Sequence, residues 1–441
     1  MPDRSLYDLI RDAGVVGAGG AGFPTHIKFA RSPVETLIAN GAECEPLIHK
    51  DKELMKRFGA QVISGLALTS EWLSSKNLII GIKAKNRAEV DSLKTSADGR
   101  VKFCLMKDIY PAGDEFILVY EATGKLIPPG GIPLEIGCVV VNVETLYNIS
   151  HAAEGVPVTE KIITISGAVK TPATFMVPIG TAYADCIVLA GGATVGNYAV
   201  LSGGAMMGEL VTDMSTPVTK TTAGLIVLPV EHQQVVRRSL PPKAVKRIGA
   251  SCCDQCYRCT ELCPRWLLGY QIVPHEVMRS LLFAGGERQK FFSNYSLLCI
   301  ECNICSLYAC PEDLDPKNIC TWSKRELFAS GVRPDKSRAV KANPMRDGRQ
   351  VPTKLLTRRL GLAPYDRDAP YTEIEFAPER VRIPLKQHAG SAAVPVVQVG
   401  QAVTKGQLVG DIYGDNLGAK VHASISGIVE AVDSFITIRR K

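Results

Sequence analysis

Residues 253–264 read CDQCYRCTELCP, and residues 299–311 read CIECNICSLYACP. Each stretch has three cysteines at intervals of three residues, followed by a fourth cysteine directly before a proline. We call residues 253–263 the first cysteine motif and residues 299–310 the second cysteine motif. The second motif has one extra residue before its last cysteine, which makes its local turn less regular. Together the two motifs hold eight of the 14 cysteines of the chain.

This spacing predicts two [4Fe–4S] clusters. Three thiolates at this interval wrap one face of a cube, and in the bacterial ferredoxin pattern the cysteine before proline ligates the other cluster. The predicted ligand sets are Cys253, Cys256, Cys259 and Cys310 for one cluster, and Cys299, Cys302, Cys305 and Cys263 for the other. Two alternatives are a zinc ribbon, which uses two Cys-x2-Cys pairs per ion, and a disulfide framework, which needs an oxidising compartment. Cys252 and Cys320 are out of register and are interpreted as bystander thiols.

Length and composition describe a globular protein of several domains. The chain has 441 residues, 46% hydrophobic and 22% charged, so two to four domains are expected. Residues 1–15 lack the hydrophobic core of a signal peptide, and no apolar run is long enough for a transmembrane segment. We therefore expect a cytoplasmic protein. The net charge of +7 favours acidic partners or anionic cofactors and does not by itself indicate nucleic acid.

A glycine-rich segment, GAGGAGFPT at residues 17–25, precedes a helical pattern from His26 to about Arg31. Glycines let the backbone approach a ligand closely, and the start of a helix presents free N–H groups. The segment therefore predicts a binding site for phosphate. The alternative is a flexible surface turn.

Strands and helices alternate through the first 155 residues. Apolar strands are predicted at 36–41, 77–83 and 138–143, and helices at 88–96 and 116–123. This alternation indicates an open parallel sheet, which binds ligands at the carboxyl ends of its strands.

Four motifs in this region, in this order, resemble the flavin- and NADH-binding subunit of respiratory complex I and its relative RnfC. They are GAGGAGFPT (17–25), NGAECEP (40–46), YPAGDE (110–115) and VNVETL (141–146). The resemblance implies a Rossmann-like domain in which the loop Gly17–Gly22 holds FMN and NADH stacks over the flavin. The residues it implies are Gly17, Gly19, Gly20, Gly22 and Lys28 at the FMN phosphate and ribose, Asn40, Glu43 and Glu45 along the flavin and nucleotide, Tyr110, Asp114, Glu115 and Asn142 completing the pocket, and Phe23 stacking on the dinucleotide.

The chain departs from the complex I pattern at several positions. Ala18 stands where that family has arginine, Ala42 where it has aspartate, and Val141 where it has a second asparagine. The segment 128–131 replaces a Pro-Pro-Phe sequence. The match is therefore closer for FMN binding than for NADH binding. For each carboxylate the alternative is a solvated loop acid.

Two small β domains are predicted on either side of the cysteine motifs. Residues 156–235 resemble the β-grasp module of the SLBB type, interpreted as a structural link, with direct binding of a corrinoid as the alternative. Residues 379–441 contain the two halves of a lipoyl-like barrel-sandwich domain, as in RnfC. Because Lys420 lies too close to the second half to be a carrier lysine, we interpret this domain as structural.

The predicted fold is therefore a multidomain α/β protein. Its parts are an FMN/NADH-binding domain at 1–155, the β-grasp domain, an α-helical 2[4Fe–4S] ferredoxin-like domain at 236–330, a basic linker at 331–378 and the C-terminal barrel. Within the linker, residues 332–360 are rich in Lys and Arg. They are interpreted as an exposed extended tether, with a docking strip for an acidic partner as the alternative.

Over its full length, with the barrel at the C-terminus after Lys386-Gln387-His388, the chain resembles cobalamin reductases of propanediol-utilising bacterial microcompartments. The resemblance implies that electrons from NADH reach cobalamin through FMN and two [4Fe–4S] clusters, inside a microcompartment. It implies an adenosyltransferase and shell proteins as partners. Hydride transfer needs no acid or base, so no catalytic residue is predicted. Two alternatives are an RnfC-like subunit that exchanges electrons between NADH and ferredoxin, and a flavin-free conduit associated with the shell.

Overall fold

The computed structural model describes residues 4–29, 34–414 and 416–441. The end of the helix predicted from His26 to about Arg31 lies outside these residues. No helix among the described residues is both long enough and apolar enough to cross a membrane.

The N-terminal domain is a parallel sheet covered by helices. Its elements are α1 Leu6–Asp12, α2 Thr25–Lys28, β1 Thr36–Asn40, α3 Lys50–Arg57, α4 Gly59–Leu73, β2 Asn77–Lys83, α5 Arg87–Ser96, β3 Val101–Met106, β4 Ile109–Tyr110, α6 Glu115–Thr123, β5 Cys138–Asn142 and α7 Val143–Ala153. The sheet order is β3-β2-β1-β5, and all three pairings are parallel. β1 is buried on both faces, which explains why its sequence is a continuous apolar run rather than an alternating one.

The second domain is a β-grasp fold. It contains β6 Glu160–Gly167, β7 Ala173–Pro178, α8 Tyr183–Leu189, β8 Tyr198–Ser202, β9 Glu209–Val211 and β10 Gly224–Pro229. The sheet order is β7-β6-β10-β8-β9, and the central pair, β6 with β10, is parallel. Helix α9, Gln233–Arg238, leads out of this domain.

The cysteine domain is helical. It contains α10 Pro242–Cys252, α11 Arg258–Glu261, α12 Pro264–Leu267, α13 Pro274–Arg279, α14 Gly286–Ser293 and α15 Pro316–Ala329, with short 3-10 turns at Ser280–Leu282 and Asn294–Ser296 and a π-helical turn at Ile304–Ala309. The proline that ends the first motif has a structural role. Pro264 begins α12 directly after Cys263, a position where the missing N–H costs nothing.

The interpretation of residues 332–360 as an exposed extended tether is wrong for their second half. β11 (Val351–Pro352) pairs with β4 of the N-terminal domain, and α16 (Thr353–Arg359) buries Leu356. Several basic side chains in 332–360 pair with acids of this chain: Lys336 with Glu135, Arg346 with Glu121, Arg349 with Glu261, and Arg359 with Asp313. Part of the charge run is therefore neutralised within the protein.

The C-terminal domain is a sandwich of two small antiparallel sheets. Its strands are β12 Arg380–Pro384, β13 Val394–Pro395, β14 Ala402–Val403, β15 Leu408–Asp411, β16 Val421–His422, β17 Gly427–Val432 and β18 Phe435–Arg439. The sheet orders are β12-β18-β17-β14 and β13-β15-β16.

Hydrophobic cores cross the domain boundaries. Leu37 and Ala39 on one face of β1 share a core with barrel residues such as Ile383. Ile38, which points to the opposite face, shares a core with Val277 of the cysteine domain. The successive side chains of one central strand thus fix the positions of two other domains.

Candidate functional site

A cavity of about 890 Å³ opens at the carboxyl ends of β1 and β5, within the usual size range of ligand pockets. Nine of the predicted cofactor residues line it: Gly19, Gly20, Asn40, Glu43, Glu45, Tyr110, Asp114, Glu115 and Asn142. Four do not line it, namely Gly17, Gly22, Phe23 and Lys28. The four sequence motifs of the N-terminal domain therefore converge on one space.

The glycine loop closes on itself and leaves donors free. The Gly17 N–H donates to the Phe23 carbonyl (2.9 Å), and the Gly22 N–H donates to the Gly17 carbonyl (3.2 Å). Within the described chain, neither the Gly19 N–H nor the Gly20 N–H donates to a protein acceptor. Gly20 has φ of 119°, and a Cβ there would meet no atom within 4 Å. The loop thus offers an open cradle with unused N–H groups, which suits the phosphate of FMN.

The helix after this loop contributes less than the sequence predicts. Its described part, Thr25–Lys28, is four residues long and has no side-chain cap. Lys28 is committed elsewhere, because its Nζ donates to the Val140 carbonyl (2.7 Å) and lies 3.3 Å from the carboxylate of Glu115. Phe23 is partly exposed. The predicted anion site therefore depends on the loop rather than on the start of this helix.

Three polar residues of the motifs hold the cavity walls in place. Asn40 donates from Nδ2 to the Gly113 carbonyl (2.9 Å), which joins two motifs. Asp114 caps α6 by accepting from the Ile117 N–H (3.2 Å). Asn142 caps α7 by accepting from the Glu144 N–H (3.0 Å). These are architectural contacts that place each side chain at the cavity edge.

The two glutamates of the second motif have different partners. Glu43 accepts from the N–H groups of Asp51 (3.1 Å) and Lys52 (3.3 Å) at the start of α3. Glu45 accepts from the N–H groups of Met206 (2.8 Å) and Met207 (2.9 Å) in the β-grasp domain. Burial raises the pKa of Glu45 to about 7, although its hydrogen bonds oppose the shift. Burial and the nearby Asp51 charge raise the pKa of Glu43 to about 7.

Sequence reasoning missed two parts of this site. The hydroxyl of Thr145 accepts from the Ala18 N–H (3.0 Å) and so anchors the glycine loop. Lys50 lines the cavity and donates to Asp51 (2.6 Å) and to Glu144 (2.9 Å), which also pairs with Lys161 of β6. Thr145 and Glu144 belong to the VNVETL motif, so this motif could have identified both from the sequence. No local sequence pattern distinguishes Lys50 or Lys161.

The cysteines gather into the two predicted sets. Cys253, Cys256, Cys259 and Cys310 line one small cavity. Burial raises the pKa values of Cys263, Cys302 and Cys305. Neighbouring thiolate charges add to these shifts: that of Cys299 acts on Cys263, those of Cys263 and Cys299 on Cys302, and those of all three on Cys305, so the four thiols lie near one another. All 14 cysteines are free thiols. The fourth cysteine of each motif therefore sits with the first three of the other motif, as the ferredoxin pattern requires.

The backbone of both motifs is bent in the same way. Gln255 (φ 56°) and Glu301 (φ 61°) occupy equivalent positions, as do Tyr257 (φ 77°) and Asn303 (φ 66°). Side chains other than glycine rarely adopt this left-handed conformation, so its repetition marks a functional turn. The Glu301 N–H also points at the Cys299 sulfur (3.4 Å). N–H groups aimed at sulfur suit cluster ligands.

The second cysteine motif adjoins the large cavity. Cys302 lines it, and the Tyr110 hydroxyl donates to the Cys302 carbonyl (2.9 Å). Asn303 donates to the Met206 carbonyl of the β-grasp domain (2.7 Å). Arg265, which follows the first motif, donates to Asp114 (2.9 Å). The metal-ligand candidates and the nucleotide-site candidates thus share one wall.

The two cysteines outside the pattern differ. Cys252 is exposed, whereas Cys320 is buried. A hydrogen bond from the Cys320 thiol lowers the pKa of Cys299. Cys320 is thus the direct neighbour of a predicted ligand, and that it is not a ligand itself stays a prediction.

Four family models match successive parts of the chain. Residues 10–151 match the Nuo51 FMN-binding domain, 162–210 the SLBB domain, 252–315 the 4Fe-4S dicluster domain, and 366–441 the RnfC barrel sandwich hybrid domain. The predicted multidomain fold is confirmed. So are the predictions of an FMN domain and of a domain for two [4Fe–4S] clusters.

Curated relatives match nearly the whole chain. Cobalamin reductase PduS of Salmonella typhimurium (strain LT2) is 40% identical over 437 residues, which covers 99% of this chain and 96% of that protein. Cobalamin reductase PduS of Citrobacter freundii is 39% identical over 442 residues, with coverage of 99% and 97%. A component of the proton-translocating ferredoxin:NAD(+) oxidoreductase complex of Clostridium ljungdahlii is 34% identical over 270 residues, with coverage of 60% and 56%. The chain belongs to the PduS cobalamin reductase family.

Proposed function

We propose that this protein is an NADH-dependent reductase that delivers electrons to cobalamin. The observation that carries the proposal is the single cavity lined by the glycine loop, by the motif carboxylates and by Cys302. A site in which a nucleotide pocket adjoins a cluster ligand suits the transfer of electrons from a two-electron donor to one-electron acceptors. The reductase activity named for the PduS relatives supports cobalamin as acceptor.

The residues divide by cofactor. The glycine loop from Gly17 to Gly22 would hold FMN, and the two cysteine sets would each hold one [4Fe–4S] cluster. FMN exchanges electron pairs with nicotinamide and single electrons with clusters, which is the chemistry these groups supply when bound. Asn40 and Asn142 would set the position of the flavin, since both line the cavity and are fixed by hydrogen bonds.

The protein's own task is positioning and shielding. Tyr110 and Glu45 close the wall between the cavity and the other domains, because their hydrogen bonds reach Cys302 and the Met206 segment. Hydride transfer requires no proton donor, so we assign no catalytic acid or base. We further propose NADH as donor and the interior of a bacterial microcompartment as location. Shell proteins and an adenosyltransferase that uses the reduced cobalamin are the proposed partners.

The test is a cofactor and activity measurement on the full chain purified without oxygen. About eight irons and one FMN per chain are expected. Addition of NADH should then bleach the oxidised cob(III)alamin spectrum. Iron without flavin would instead indicate a flavin-free conduit. Reduction of ferredoxin but not of cobalamin would indicate an RnfC-like subunit, and zinc in place of iron would overturn the proposal.

A further inference from the structure

The C-terminal barrel reaches the glycine loop through residues 386–389. The Ala389 N–H donates to the Gly22 carbonyl (2.9 Å). A Cβ at Gly22 would lie 3.1 Å from the His388 Cα, so the two segments are in close contact. Lys386, at the start of this segment, lines the large cavity. A basic side chain from the last domain therefore stands at the edge of a site built by the first domain.

The cavity is otherwise acidic. Its lining carries six carboxylates, Glu43, Glu45, Asp51, Asp114, Glu115 and Glu209, and two basic side chains, Lys50 and Lys386. Lys50 is buried and paired with Asp51 and Glu144. Among the ion pairs formed by the described residues, none includes Lys386. Lys386 is thus the cation of this lining that is left for a ligand.

The glycine loop supplies N–H groups but no charge of its own. Residues 17–23 contain no Lys or Arg. The nearest basic residue in the sequence, His26, is buried, and burial lowers its pKa to about 4, so it is neutral near pH 7. Lys28 is held by Val140 and Glu115. Neither of the two basic residues that follow the loop is therefore available to a phosphate bound there.

Hydroxyl groups of the β-grasp domain line the part of the cavity next to the glycine loop. Thr219, Thr221 and Thr222 line the cavity, and the hydroxyl of Thr219 lies 3.1 Å from each of the other two. A Cβ at Gly22 would lie 3.0 Å from the Thr221 Cγ2, so this turn adjoins the glycine loop. Donors from three domains therefore surround one corner of the cavity.

We propose that Lys386 binds a phosphate group of a nucleotide held in this cavity and so supplies the positive charge that residues 17–23 lack. The inference rests on the proposed function, because it requires a nucleotide in the cavity. Two ligands would present the same chemistry: the 5′-phosphate of FMN and the pyrophosphate of NADH. A lysine at this position acts as a point charge, which suits either group.

Lys386→Met, Lys386→Arg and the control Lys405→Met test this inference. Lys405 is a barrel lysine that pairs with Glu160 and does not line the cavity. The Kd values of FMN and riboflavin are measured by fluorescence on the full chain freed of flavin without oxygen. The Kd of NADH is measured by difference spectra on the FMN-loaded chain. Iron content reports whether each variant is folded.

Loss of a charge-assisted contact should raise the Kd roughly tenfold. If Lys386→Met weakens FMN but not riboflavin, the FMN phosphate is the ligand group. If FMN is unchanged and NADH weakens, the dinucleotide is the ligand. Lys386→Arg should keep most of the affinity, and Lys405→Met should match the wild type.

Two results would overturn the inference. One is unchanged affinity for both nucleotides in Lys386→Met, and the other is equal weakening of FMN and riboflavin. The failure of the proposed function is distinct from both, because then the wild-type protein would bind neither nucleotide.

Discussion

The two cysteine motifs share the spacing of their first three cysteines and the bend of their backbone, but they differ in their surroundings. Gln255 and Tyr257 in the first motif have the same left-handed conformation as Glu301 and Asn303 in the second. Cys256, however, is exposed, whereas Cys302 is buried in the wall of the large cavity. The spacing thus fixes how a cluster is ligated, and the surroundings decide which cluster faces the nucleotide and which faces solvent.

The largest expected effect is on iron. Cys256→Ser and Cys302→Ser should each reduce iron from about eight to about four per chain. In wild-type protein exposed to air, iron should be lost in a fast and a slow phase, because oxygen reaches the exposed motif first. Cys256→Ser should remove the fast phase and retain FMN, and Cys302→Ser should remove the slow phase. Cys252→Ser, an exposed neighbour outside the pattern, is the control and should keep all the iron.

A single phase of iron loss, or the same phase lost in both variants, would show that the two motifs are not protected differently. Loss of FMN from Cys256→Ser would show that the exposed cluster supports the nucleotide site.

Gly20→Val should empty the flavin site and leave both motifs loaded. The φ of 119° at Gly20 is strained for a β-branched residue, and a side chain there would occupy the space that a Cβ finds open. FMN should fall to near zero, while iron stays unchanged. Gly99→Val, in an exposed turn where a Cβ also meets nothing within 4 Å, is the control. A fully flavinated Gly20→Val protein would show that the glycine loop is not part of the flavin site.

Tyr110→Phe tests the difference between the two cysteine motifs more finely, because it removes a hydrogen bond to the second motif and none to the first. The change leaves the Cys302 carbonyl without its 2.9 Å donor and should cost about 1 kcal/mol of local stability. A chelator should then extract iron of the slow phase severalfold faster. Tyr270→Phe removes a hydrogen bond of the same kind between the same two domains, to the Ile127 carbonyl, and should leave this rate unchanged. Equal effects of the two changes would contradict a specific role for Tyr110.

The smallest effect concerns Glu45, which holds the β-grasp segment next to the second motif. Its pKa in the folded protein is about 7, above the usual 4.5, so the folded state binds more protons than the unfolded state between these values. Stability from this group therefore falls gradually as pH rises from about 4.5 to about 7. Glu45→Gln should flatten the dependence of Tm on pH in this range. Glu287→Gln, at an exposed position of α14, should not, and an unchanged slope in Glu45→Gln would refute the assignment.

Much of the fold follows from local sequence pattern. The strand predicted at Asn77–Lys83 is β2 with the same bounds. A short apolar run between polar ends is compatible with few structures other than a buried strand. The cysteine sets follow from the spacing, because two cubes with four ligands each leave few ways to distribute eight thiolates. The nine predicted cofactor residues that line the cavity could be named because a parallel sheet brings its strand ends to one edge.

Contacts between distant segments could not be predicted. The pairing of β11 with β4 involves two residues on each strand, too few to show a period. Lys161 reads as one residue of a strand, and only the fold brings it to Glu144. The contact between Glu45 and the Met206 segment likewise joins two different domains, and nothing in either local sequence indicates that they meet.

The hydrogen bond from Ala389 to Gly22 joins the glycine loop of the first domain to a segment of the barrel, which the ribosome makes much later. The ribosome therefore releases the glycine loop long before the segment that clamps it exists. A nascent chain would let flavin escape, and retention would begin only once synthesis has passed the barrel. Truncation after the cysteine domain but before residue 389 should accordingly give chains that take up iron but do not keep flavin.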